Sequence, residues 1–305
     1  MLSGNHEKMP NSKSAETCEH SVAQLAQGPG TGIKPMGWSE ELLFAEGEDG
    51  HRHKAKGGAR EQRLVEAFDQ PATKLIVYFL HAVLPNFDQF NLLLQTEAPM
   101  VHRLYPAMIL LYKTILSCVV QPSVIQGTEN ILTIDLDCTD VLKTDPDLHI
   151  GFAATQHIMK EDLQGTTAVS SFKAEVRDFY LGVLQYMKKK FPFKNLVFKN
   201  APVIDPAKRA SVTSSMLITL MNQFSSSEID REKVFGEFCL YQGSSDEELD
   251  FSDGDSFRID EFWAKLAAKK HVGTGQQLFA NLAAFAKIVL LVPHSMHSVR
   301  GFLAW

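Results

Sequence analysis

The residue types able to do chemistry fall into four groups along this chain. Asp135, Asp137 and Asp140 bring three carboxylates together, and the Asp-x-Asp pair on a strand would place two of them on one face. No glycine turn and no calcium-loop spacing follows, so an exposed strand edge or a helix cap accounts for them better than a metal site. His51 and His53, within His51-Arg52-His53-Lys54, lack further ligands nearby and read as a solvated basic loop. Lys188, Lys189, Lys190, Lys194, Lys199, Lys208 and Arg209 alternate with Phe191, Phe193 and Phe198, a pattern that suits a phosphate backbone and stacked bases. The competing account is a helix C-terminus and a solvated loop whose phenylalanines turn inward, and it is the preferred one. Ser245 and Ser252 each have an acidic residue three places on, the context acidophilic kinases favour.

Apolar spacing is the stronger signal. Ile259, Phe262, Trp263 and Leu266 form one helical stripe; Leu278, Phe279, Leu282, Phe285, Ile288 and Val289 form another. Further on come Leu290-Leu291-Val292-Pro293, Ser295 and Arg300-Gly301-Phe302. Upstream, Val203-Ile204-Asp205-Pro206-Ala207-Lys208-Arg209 follows a helical segment rich in aromatics.

In that order, these blocks resemble the C-terminal dimerisation block of hAT-superfamily transposases and the Leu-Asp-Pro-Arg-x-Lys box that precedes it. The resemblance extends upstream, where residues 90–120 look like the helical insertion of the same family. It implies a ribonuclease-H-like core, with three carboxylates holding divalent metals for strand transfer. The family's last carboxylate belongs to a Glu-Arg-x-Phe-Ser signature; here Val299 precedes Arg300 and Leu303 takes the place of the Ser. The two upstream aspartates have no counterpart either, since residues 1–60 hold a single aspartate, Asp49. The resemblance therefore implies a non-catalytic descendant without metal or cofactor. Its function would be association with itself or another hAT-like protein, with Trp263, Leu282, Phe285 and Phe302 as interface or core anchors. A DNA-binding regulator using Lys188–Arg209 is the first rival, weakened by the absence of a zinc-finger pattern. An active DNA-joining enzyme is the second, nearly excluded by the missing carboxylates; a decayed transposase product with no selected role is an equal version of the leading reading.

The elements that must position these residues are helical. An apolar pattern begins near Leu64 and runs through residues 74–84. Pro85 is expected to break or kink it, Pro99 to interrupt it again, and residues 101–120 to form a further long helix. Residues 172–187 recur at helical spacing, with Ser170 or Ser171 as the expected cap and the lysine triplet at the C-terminus. Helices are expected around 208–224, 228–241, 257–270 and 276–291, and strands, if any, near 133–137 and 288–292.

The fold class is mainly α. It comprises a helical bundle resembling the hAT insertion region (61–243), an acidic linker (244–256) and a truncated ribonuclease-H-like C-terminal block (257–305). A disordered tail (1–60) carries Gly28-Pro29-Gly30 and one short amphipathic stretch, Trp38–Phe44. Without the sheet that would normally cover it, the C-terminal stripe is expected to be partly exposed.

Composition sets outer bounds. With 305 residues, 45% hydrophobic and a net charge of −6, the chain has material for one or two cores and no global attraction to nucleic acid. Cys18, Cys118, Cys138 and Cys239 form no pair at short spacing, which suits a reducing compartment. No apolar run reaches the roughly 18 to 20 residues of a membrane span. An intracellular protein is expected, nuclear rather than cytosolic on the strength of the lysine triplet.

Overall fold

The computed structural model describes residues 70–224, 229–254 and 257–293, together with Arg63, Glu66 and Ala67. The expected tail 1–60, the Trp38–Phe44 stretch, the His51–Lys54 cluster, Val299 and Phe302 lie outside these residues. The described chain is mainly helical and contains no strand; two isolated bridges, Val120 with Leu142 and Lys270 with Gln277, are its only β pairings.

The eleven α-helices are α1 (Pro71–Gln95), α2 (Val101–Val119), α3 (Pro122–Gly127), α4 (Phe152–Lys160), α5 (Thr167–Lys190), α6 (Leu196–Asn200), α7 (Ser214–Met221), α8 (Arg231–Gly243), α9 (Asp246–Leu249), α10 (Ile259–Ala268) and α11 (Ala280–Leu290). Tight 3-10 turns cover Ile131–Thr133, Thr139–Val141, Ala201–Ile204 and Pro206–Lys208.

Several expectations are corrected here. Pro85 does not end α1, which runs ten residues beyond it. Proline removes the amide that would bond the His81 carbonyl four residues back, and the helix continues past that one missing bond; the Asn86 side chain adds a separate bond to the Val83 carbonyl at 3.1 Å. Ser170 and Ser171 sit inside α5; the hydroxyl at its start is that of Thr166, which accepts from the Val169 amide. Residues 133–137 are not a strand. Ile134 and Leu136 are buried and Asp135 and Asp137 exposed, so the alternation is real, but no partner strand completes it. Asp135 instead accepts from the Asp137 amide, closing a local turn. In the apolar run 288–292, residues 288–290 finish α11 as helix and Leu291 and Val292 turn out of it, so no strand forms there.

The chain divides into two compact units. Of the described residues, those up to 88 together with 115–187 form one unit and 89–114 together with those from 188 onward form the other, and helices α1, α2 and α5 contribute to both. In the first unit Phe79 meets Phe172, Phe179 and Tyr180 edge-on at 5.4–6.3 Å. Aromatic packing of this kind adds about 0.5–1.5 kcal/mol per pair beyond area burial. The irregular segment after α2 is tied back onto it: the Lys143 amide donates to Val119, the Gln121 amide to Val141, and the Lys143 ammonium to the Ser117 carbonyl. Tyr180 donates to the His149 carbonyl, and Arg177 donates to the Lys143 carbonyl and the Asp145 carboxylate. Gly151, with φ +88°, leads into α4 where a Cβ would lie 2.6 Å from that of Ala82.

The second unit holds every candidate anchor that is described. Helices α10 and α11 pack on each other, and α11 packs on α8. Most of both apolar stripes is covered: Ile259, Phe262, Trp263, Leu266, Phe279, Leu282, Phe285 and Val289 are buried, while Leu278 and Ile288 are half-buried. The expected partial exposure of this stripe is confined to those two residues. No sheet covers it; α8, the turn at Ala201–Ile204 and the two helices themselves do, because any apolar face of suitable shape excludes water equally well.

Candidate functional site

The C-terminal anchors are built from three separate stretches of chain. Trp263 is 0% exposed, and its indole N–H donates to the Ile204 carbonyl at 3.0 Å. Its ring lies 5.3 Å from Tyr241 on α8 and 5.4 Å from Phe262. Leu282 and Phe285 are also buried; Phe285 meets Phe224 edge-on at 6.0 Å. Glu237 of α8 caps the start of α11, accepting from the Leu282 amide at 2.7 Å and the Asn281 side chain at 2.6 Å. A carboxylate suits that position because the first amides of a helix have no intrahelical partner and carry positive partial charge. Trp263, Leu282 and Phe285 are thus core residues, and none of them offers a surface to a partner in this fold.

The basic stretch separates into an outer and an inner part. Lys189, Lys190, Lys194, Lys199 and Lys208 are exposed, and Lys188 is partly so. The aromatics between them face inward: Phe191 stacks on Phe90 at 5.3 Å, Phe193 meets Tyr112 at 5.7 Å, and Phe198 is buried. Phe193 and Phe198 are therefore closed to base stacking, and Phe191 is half-buried with one face taken by Phe90. Arg209 is turned to the protein and donates to Asp246 at 2.6 Å. What remains for a nucleic acid is a set of lysines suited to backbone phosphates alone.

Residues 244–254 of the expected acidic linker include a capped helical turn. Ser245 caps α9 in a reciprocal box, its hydroxyl accepting from the Glu248 amide at 3.1 Å while Glu248 accepts from the Ser245 amide at 2.8 Å. Lys269 donates to the Glu248 carbonyl and pairs with Asp250 at 3.5 Å. Ser252 is exposed, belongs to no helix, and makes no hydrogen bond among the described residues. The aspartates 135, 137 and 140 are exposed, and no cluster of His, Cys, Asp or Glu among the described residues could hold a metal.

Sequence reasoning missed one constellation, an open cleft of about 730 Å³ lined by Thr96, Pro99, His102, Arg103, Asp253 and Arg258, among others. Arg103 lies 3.8 Å from Asp253; Arg258 pairs with Asp260 at 2.8 Å and Glu261 at 3.4 Å. Asp205, of the Asp-Pro pair, is buried close by and accepts from the Ala207 amide at 3.0 Å. Burial pushes its carboxyl above the usual range, opposed by the Ala207 N–H and by the charges of Arg103 and Lys208. Burial also raises the Tyr241 phenol, whose hydroxyl has no partner among the described residues. These groups come from four stretches of chain, so no local spacing announces them. No family model, curated protein or solved structure matches the chain.

Proposed function

We propose that this chain is a non-catalytic protein descended from a hAT transposase, and that it acts by association with itself or another hAT-like protein. The observation that carries the reading is the packing of its resembling blocks. The Ile204-Asp205-Pro206 box and the Trp263 helix, 59 residues apart at the indole–carbonyl bond, build one core with α11. Blocks that together formed a family domain are expected to pack in this way. Val299 in place of the signature glutamate supports loss of the chemistry.

Association in this reading runs over the outer side of the second unit, because Trp263, Leu282 and Phe285 are enclosed. Exposed apolar side chains are present there on three helices or their ends: Ile218, Leu240 and Leu291, the last 82% exposed. Nucleic acid is the weaker partner, favoured by the exposed lysines and disfavoured by the inward aromatics. Nuclear localisation rests on the same lysines.

Light scattering behind size exclusion tests the proposal. The full chain is expected to run as a discrete dimer, and a Leu240→Asp/Leu291→Asp variant as a monomer of unchanged helicity. Trp263→Ala is expected to lose folded structure rather than convert dimer to folded monomer. A monomeric wild-type chain at tens of micromolar (roughly the range of weak standard-size interfaces) would refute self-association.

A further inference from the structure

Two serines share an acidic sequence context, yet the structure treats them differently. Ser245 is committed to the capping box of α9, where its hydroxyl already accepts from the Glu248 amide. A kinase must draw its acceptor into an extended strand-like pose, which here would cost the box and the helix it caps. Ser252 lies outside regular structure and is exposed. Its neighbours hold the segment from both sides: Phe251 packs against Phe257 and Phe262 at 5.4 and 5.9 Å, and Asp253 pairs with Arg103. In the sequence, acidic residues stand one and three places after it.

The same segment forms the rim of the cleft. Asp253 and Gly254, the two residues following Ser252, line it together with Arg103 and Arg258. The Arg103–Asp253 separation of 3.8 Å is ion-pair distance without a hydrogen bond. A phosphate carries nearly two negative charges and three acceptor oxygens, so it competes well for guanidinium donors against a single carboxylate.

We propose that Ser252 is the phosphoacceptor of this segment for an acidophilic serine kinase, and that Arg103 and Arg258 of the adjoining cleft receive the phosphate. The co-reactant is a nucleoside triphosphate. The Ser252 Oγ forms a bond to the γ-phosphorus, the bond from that phosphorus to the bridging oxygen breaks, and a nucleoside diphosphate leaves with the electron pair. The hydroxyl proton passes to the kinase's base. The modified serine draws Arg103 from Asp253 and closes residues 251–254 onto the cleft.

The test uses the full chain with an acidophilic serine/threonine kinase and ATP, the site being read by tandem mass spectrometry. Label is expected at Ser252, lost in Ser252→Ala and retained in Ser245→Ala. The phosphate is then titrated by phosphorus NMR beside a phosphopeptide of residues 246–258. In the protein its second ionisation is expected below the peptide's value of about 6, because two arginines favour the dianion. Arg103→Gln and Arg258→Gln should each move it part of the way back. Label at any other serine, no label, or a phosphate titrating as in the peptide would overturn the proposal.

Discussion

At the scale of single residues, Asp205 is the most informative side chain of the second unit. It is 4% exposed, and burial holds its carboxyl above the ordinary range. In an unfolded chain an aspartate titrates at about 3.9. Between that value and the raised folded one, the folded state binds more protons, so stability falls as pH rises through the window, and the cost persists at neutral pH. Asp205→Asn keeps an oxygen to accept from the Ala207 amide but removes the titration. The variant's stability relative to wild type should therefore grow from pH 4 to pH 7, read from urea midpoints at each pH. A difference that does not change with pH would count against a raised carboxyl. Nothing in the run Ile204-Asp205-Pro206 foretells this burial. An Asp before Pro is an ordinary turn starter, and its burial beside Arg103 and Tyr241, distant in the chain, is decided by tertiary packing.

At the scale of elements, local rules served well where one face of a helix had to be covered and poorly where the backbone had to be read. The stripes of α10 and α11 were legible because their apolar residues recur at the helical period, whatever packs on them. Residues 133–137 show the converse: their alternation describes which side chains are buried but not whether a neighbouring strand exists. Pro85 misleads for a related reason, since the local cost of a proline is outweighed when both flanking turns of α1 are packed. Gly151 gives an element-scale prediction. Its φ of +88° with ψ 151° is a region essentially closed to other residues, and a Cβ there would meet Ala82 at 2.6 Å. Gly151→Ala should destabilise by about 2 kcal/mol or more from backbone strain and the clash. Urea unfolding of the variant, alone and with Ala82→Gly, checks it: the second change should relieve the clash but not the strain.

At the scale of the whole molecule, each unit is assembled from stretches far apart in the chain, and the Trp263 indole makes this concrete. Its bond to Ile204 spans 59 residues and lies within a fully buried aromatic group with Tyr241 and Phe262. Trp263→Phe leaves the Ile204 carbonyl without its donor and should cost about 1–3 kcal/mol. Trp263→Ala adds a cavity and should reach about 3–5 kcal/mol. A urea midpoint for Trp263→Phe within error of wild type would mean the indole bond contributes nothing.

What the amino-acid sequence determined by itself is the mainly helical class, the longer helices with their apolar stripes, and the helix-ending lysines of α5; the short helices α3, α4, α6 and α9 were not legible in it. Each legible feature depends on residues within a few positions of one another, where helical period and capping chemistry act directly. Tertiary structure alone decided that Trp263, Leu282 and Phe285 are core rather than interface, and that the aromatics among the lysines turn inward. It also decided that Arg103, Asp253 and Arg258 share one cleft. Those outcomes depend on which distant segment covers a given face, and the hydrophobic effect that drives the covering has no direction and leaves no local period to read.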